Sequence, residues 1–155
     1  MDYKQLLDAS NGVMVAVAEA MTNMGLDIPL IWTQMANAFQ GDAKGFLTDM
    51  GLNIVGNDIK SIADSYAVEM KRVGIVQRVN IVSASDTELV VDIGECIYAP
   101  ATTIIRGGDP NMIPPCPMMA ILYGIINERT GKHCSVTKCE FFPELNASTF
   151  TVILE

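Results

Sequence analysis

The chain has 155 residues, half of them hydrophobic and 18% charged, and it carries a net charge of −8. That length makes about one domain, long enough to bury roughly 70% of its unfolded surface without staples. The 18 acidic residues outnumber 10 basic ones, and Lys71 with Arg72 is the only adjacent basic pair, so the basic footprint of a nucleic-acid binder is missing.

A mean hydropathy of +0.29 calls for a large core or for an apolar surface that meets a partner. A membrane span is not expected. The longest uncharged stretch, Pro110 to Asn127, holds four prolines, whereas a spanning helix needs about 20 apolar residues in helical form. The start, Met1-Asp2-Tyr3-Lys4, lacks the basic and apolar regions of a secretory signal, and the expected location is the cytoplasm.

Leu6, Leu7, Val13, Met14, Val17 and Met21 recur at three- and four-residue steps and predict a first helix closed by Gly25. With Val15 and Ala16 beside them that helix is apolar nearly all round and has to be buried on most sides. Together with the apolar excess it points to a homodimer. Asp27 as N-cap and Pro29 start a second helix through Trp32, Met35, Ala36 and Phe39, broken at Gln40-Gly41. Asp42 caps a short third helix carrying Phe46, Leu47 and Met50. Asn57 or Asp58 opens a fourth, with Ile59, Ile62, Ala63, Tyr66, Met70 and Val73 in one stripe that ends at Gly74.

The period then changes. Ile75, Val79 and Ile81 lead into the turn Ser83 to Asp86, and Leu89, Val91 and Ile93 alternate as one side of a half-buried strand, so this is a hairpin. Tyr98 to Pro115 forms a long connection, which is uncommon without a function or structure of its own. Inside it, Arg106-Gly107-Gly108-Asp109-Pro110 reads as a turn, or as a cradle of backbone N–H groups for an anion. A helix from Pro117 to Arg129 follows, with proline at its first position. A second hairpin, Lys132 to Phe142 and Thr149 to Leu154, ends the chain. The expected fold is one α+β domain over residues 1–155: a helical N-terminal half packed on a four-stranded antiparallel sheet with one crossing helix.

No catalytic constellation is visible. There is one histidine, His133, with no nucleophile elbow, and no Gly-x-Gly-x-x-Gly follows a strand. The four cysteines, Cys96, Cys116, Cys134 and Cys139, read two ways. They are small buried hydrophobes, or four thiolates closing a tetrahedral structural zinc site. Cys134 and Cys139 are five apart, so a regular strand would point them to opposite faces, and a shared site needs a bulge or a strand end.

The run Cys116-Pro117-Met118-Met119 into Leu122, Tyr123 and Gly124, then Gly131-Lys132, a strand bearing Cys139 and a closing aromatic strand, resembles the 4-vinyl reductase (hydrocarbon-binding) domain. The motif covers about the last forty residues. The resemblance implies a fold akin to the small subunits of vesicle-tethering complexes. It also implies zinc on one Cys before the helix and Glu-x4-Cys-x7-Cys on the last hairpin. Cys116 and Cys139 match that pattern, Cys134 takes the place of Glu, and the fourth position lands on Ala147, leaving Cys96 or His133 to complete the set. On this reading the chain is a non-catalytic module for a small apolar or aromatic molecule, held between helices and sheet by Trp32, Phe39, Tyr66, Met70, Met118 and Leu122. The competing readings are a homodimeric assembly subunit without a ligand and a reductase-type enzyme.

Overall fold

A computed structural model of the chain describes residues 2–26, 28–39, 43–108, 113–114 and 116–155. Asp27, Gln40, Gly41, Asp42, Asp109, Pro110 and Pro115, which the sequence assigns to caps, breaks or the long connection, lie outside the described residues, as do the side chains of Trp32, Phe39 and Phe46. The elements run α1 (Tyr3–Asn23), α2 (Ile28–Phe39), α3 (Ala43–Asp49), α4 (Ile59–Arg72), β1 (Val76–Ala84), β2 (Glu88–Cys96), α5 (Ala99–Gly108), α6 (Pro117–Thr130), β3 (Cys134–Phe142), a 3-10 turn at Pro143–Leu145, and β4 (Ala147–Leu154). This is the expected α+β architecture, a helical first half with a four-stranded antiparallel sheet.

The sheet order is β1-β2-β4-β3. Each hairpin is a neighbour pair, and β2 joins β4 to fuse the two hairpins in register, with Val91 facing Phe150 and Gly94 facing Ala147. Glycine is required at that last pair: a Cβ on Gly94 would stand 2.7 Å from the Cβ of Ala147. The alternation of β2 and β4 turns Leu89, Val91, Ile93, Phe150, Val152 and Leu154 into one buried face. Against it packs α6, which starts with Pro117 at its first turn and stops at Gly131 in the left-handed region, φ 73°. Every residue of α6 from Met118 to Asn127 is buried. Helix α2 packs on α6, and α4 lies on β1 and α6 through Ile59, Ile62, Ala63, Tyr66, Ala67 and Met70. The Tyr66 hydroxyl donates to the Met118 carbonyl oxygen at 2.7 Å, which satisfies the polar tip of a fully buried ring.

Two regions depart from the sequence expectation. The connection after β2 contains α5, a second helix in the C-terminal half. Its residues, Ala99-Pro100-Ala101-Thr102-Thr103-Ile104-Ile105, are mostly proline and β-branched types of low helix propensity, so local signals hide it. Packing against α1 compensates. The side chain of Asn11 bridges the two: its Nδ2 donates to the carbonyls of Leu7 and Ile97, both at 2.9 Å, and its Oδ1 accepts from Ala101 N–H at 3.1 Å.

The second departure is α1 itself. Among its described residues only Asn11 and Ala18 are buried, and Leu6, Val13 and Val17, expected on the buried face, are exposed. No helix among the described residues is long and apolar enough to cross a membrane.

Candidate functional site

The thiols were the first candidates, and the sheet register fixes where they sit. Cys134 pairs with Leu154 at one end of β4, whereas Cys96 lies beyond Gly94, the partner of Ala147 at the other end. Seven residues of strand between Ala147 and Leu154 span about 23 Å. The bulge that a shared face demands is present, as a register shift between Val136 and Lys138, and Cys139 pairs with Phe150. It turns both cysteines inward but cannot shorten the strand: four residues of β4 separate their partners, about 13 Å. A tetrahedral zinc holds each sulfur at about 2.3 Å, so its ligands lie within about 4 Å of one another. The set Cys96, Cys116, Cys134 and Cys139 therefore does not converge. The described residues contain no group of three His, Cys, Asp or Glu side chains placed to hold a metal ion.

What the thiols do is fill space. Cys116 is the N-cap residue of α6, buried and without a side-chain capping bond. It shares a 20 Å³ cavity with Cys96, Ser148 and Phe150, room for about one water molecule. Burial pushes Cys116 and Cys134 up to about 12 and Cys139 to about 11. Cys96 is raised as well, again by burial. Thiols held neutral in this way are poor nucleophiles and poor ligands. His133 ends up beside Asn127, whose Nδ2 is 2.9 Å from His133 Nδ1, while its backbone pairs with Glu155.

Of the six residues expected to line a pocket, Tyr66, Met70, Met118 and Leu122 all lie in the central hydrophobic cluster, 3% exposed or less. Trp32 and Phe39 are placed only as positions on α2. The clefts described lie at the surface. One, of about 350 Å³, is bordered by Leu47, Ile54, Ile125, Glu128 and Arg129, and Arg129 is already engaged there, donating to the carbonyls of Ile54 and Gly56. Another, of about 340 Å³, lies between Arg106 and Phe141, with the guanidinium 5.8 Å from the ring centroid.

The largest departure from an ordinary surface is apolar. Leu6, Val13, Val17 and Met24, on or just after α1, are 59%, 64%, 43% and 72% exposed, and Ile104 of α5 and Leu30 of α2 are open nearby in sequence or packing. Sequence reasoning counted Leu6, Val13 and Val17 as core because periodicity reports a face without reporting what covers it.

No family model and no curated protein matches the sequence. Among solved structures the fold matches a trafficking protein particle complex subunit 3 from Naegleria fowleri, described as covalently bound to palmitic acid. The TM-score is 0.63 at 17% identity, and the match covers 98% of this chain and 96% of that one. The resemblance to the 4-vinyl reductase domain is thereby corrected: no family model matches, and the solved structure that matches is a trafficking-complex subunit; the fold akin to vesicle-tethering subunits is the part of that expectation the match agrees with. The zinc-braced module for an apolar ligand falls with it, since Cys134 stands too far along the sheet for the four thiols to share an ion and no three of the described candidates converge.

Proposed function

We propose that the chain is a non-catalytic subunit of a multisubunit assembly of the vesicle-trafficking type. The observation that carries this is the fold shared end to end with a trafficking-complex subunit. The apolar surface of α1 supports it, because contiguous exposed apolar patches mark interaction sites. Tagged chain isolated from its own cells should elute in a particle larger than any small homo-oligomer, with the same partner chains at fixed stoichiometry. Elution free of other chains overturns the reading.

The covalent palmitic acid of the trafficking subunit does not carry over. A thiol is the side chain that forms an acyl thioester at neutral pH, and here Cys116 and Cys134 are buried and Cys96 and Cys139 half-buried, with little access for an acyl donor. Intact-mass measurement of the chain from its own cells should give the unmodified mass, and a hydroxylamine-labile acyl adduct would reject this part of the proposal.

A further inference from the structure

The sheet has two outer strands, β1 and β3, and their open edges differ. β1 is broken in its middle by a register shift between Ile81 and Ser83. In β3 the shift lies between Val136 and Lys138, and from Lys138 to Phe142 the strand runs in regular register with β4 until Pro143 follows. Leu154 of β4 donates its N–H to the Thr87 carbonyl, on the β2 side. Bonding direction alternates along an antiparallel ladder, so Phe150 and Ser148 also bond toward β2. Their partners on β3 are Cys139 and Phe141, whose backbone N–H and C=O groups therefore point outward from the sheet. Such an edge is a template for another strand unless a bulge, a proline or charge blunts it, and in β3 the bulge and the proline lie only at the ends of the regular stretch.

A groove follows that edge. One cleft of about 440 Å³ is bordered by Ile113 and by every residue of β3 from Thr137 to Phe142. The cleft of about 340 Å³ adjoins it at Arg106 and Phe141 and adds Pro143 with Thr103 and Gly107 of α5. Among the described residues none of α2, which also packs on β3, borders either cleft. Arg106 borders both. It is 9% exposed, with its guanidinium 5.8 Å from the Phe141 centroid and its Nη2 3.5 Å from the Cys139 carbonyl oxygen, so a buried cation stands on the strand edge itself. The other charges of the groove, Lys138 and Glu140, pair with each other at 2.8 Å. We infer that the groove takes the C-terminal tail of a partner chain, added to β3 as an antiparallel strand that ends at Arg106. A chain entering from the Pro143 side pairs with the outward N–H and C=O of Phe141. Its next pairing position is Cys139, where the guanidinium already stands. The chain can reach Arg106 but cannot run past it, so what meets the guanidinium is the chain's own end, an α-carboxylate. The planar fork of arginine takes a carboxylate through two parallel N–H bonds. Main-chain bonds to the edge give affinity and pockets give specificity, and here the last side chain rests on Phe141 and Pro143, which selects an apolar one.

The inference deepens the assembly reading and rests on it only for its setting. From a displayed library of short random peptides with free carboxyl ends, the full chain should enrich peptides whose last residue is apolar. Amidation of that end should weaken the enriched peptide about tenfold or more, the worth of a hydrogen bond to a charged group. On binding, the amide resonances of Cys139 and Phe141 should shift while those of β1 stay in place. Arg106→Gln should bring the same loss as amidation. Because Arg106 is buried, Thr103→Trp serves as a second block: Thr103 is exposed on the cleft, and the change should abolish binding with the melting temperature unchanged. Amidated peptides that bind as well as free ones, shifts confined to β1 or α1, or a library that enriches nothing overturn the site. A chain that isolates with its partners yet enriches no peptide overturns the groove and leaves the assembly reading intact. Carboxylate-dependent peptides held by a chain that isolates alone support the groove and overturn that reading.

Discussion

Helices α1 and α6 are alike in sequence and opposite in setting. Both carry long apolar runs, Val13 to Ala18 in α1 and Met118 to Ile126 in α6, although α1 also gathers Lys4, Asp8 and Glu19 on one side. Helix α6 is enclosed by the sheet, α2 and α4, and is buried without interruption from Met118 to Asn127. Helix α1 leans on α5 along one narrow stripe and leaves its second apolar stripe open. A long apolar run thus has two meanings: a central helix of this chain, or a helix that leaves part of its apolar surface open.

The largest test of that contrast is truncation. Leu122→Ala in α6 removes a fully buried side chain from the central cluster and should cost about 2–5 kcal/mol in denaturant unfolding. Val13→Ala in α1, at a side chain 64% exposed, should change stability by no more than about 0.5 kcal/mol. Equal costs would mean that α1 is packed as tightly as α6 and would erase the distinction.

Alkaline pH separates the two regions next. Cys116 caps α6 and Cys134 and Cys139 lie on the β3 strand behind it, while α1 holds no cysteine. An unfolded chain gives up its thiol protons near the ordinary value of 9.0, whereas burial holds Cys116 and Cys134 near about 12. The folded state therefore keeps protons that the unfolded state releases. Stability contributed by the neutral thiols is complete below pH 9 and is lost as pH rises towards 12. Melting temperature should fall through that range, and Cys116→Ala should flatten the fall. A melting temperature that holds steady across it would mean the thiols are open to water.

Asn11 is a polar anchor of α1, with three hydrogen bonds that reach Leu7, Ile97 and Ala101. Asn11→Ala strands the buried Ala101 N–H and should cost about 1–3 kcal/mol, with the loss confined to the α1–α5 pair in hydrogen exchange. Protection lost equally across the sheet would contradict that confinement.

These residues also show what could be read from the sequence. The stripe of α4, the alternation of β2 and the Pro117 and Gly131 boundaries of α6 were legible because each is a local signal, set by period or by backbone preference. Helix α5 was not, since Ala99 to Gly108 is helical by packing against α1 and not by propensity. The zinc site failed for a geometric reason. A spacing of five between Cys134 and Cys139 on an extended strand keeps them about 13 to 16 Å apart, and the bulge at Val136 restores the face but not the distance. The side of α1 that meets solvent was invisible because the same residues serve a core or an interface.

The smallest contrast lies at the helix starts. Asp58 and Asp2 cap α4 and α1 in the same way, each accepting from the backbone N–H three residues on, at 2.9 Å from Ser61 and 2.8 Å from Gln5. The Ser61 hydroxyl, which donates to Asp58 at 2.6 Å, together with the Ser61 N–H, holds the Asp58 carboxyl below its ordinary range. Replacing a capping Asp by Ala typically costs about 1 kcal/mol. Because α4 is tied to the core through six buried residues, its first turn cannot fray without disturbing Ile59 and Ile62, so Asp58→Ala should show the full cost in global unfolding. The first turn of α1 carries exposed Lys4, Gln5 and Leu6 and can open while the rest of the chain stays folded. Asp2→Ala should therefore speed amide exchange at Gln5 and Leu6 and leave the global unfolding midpoint where it was. A midpoint lowered as much as by Asp58→Ala would show that the start of α1 is held as firmly as the core helices.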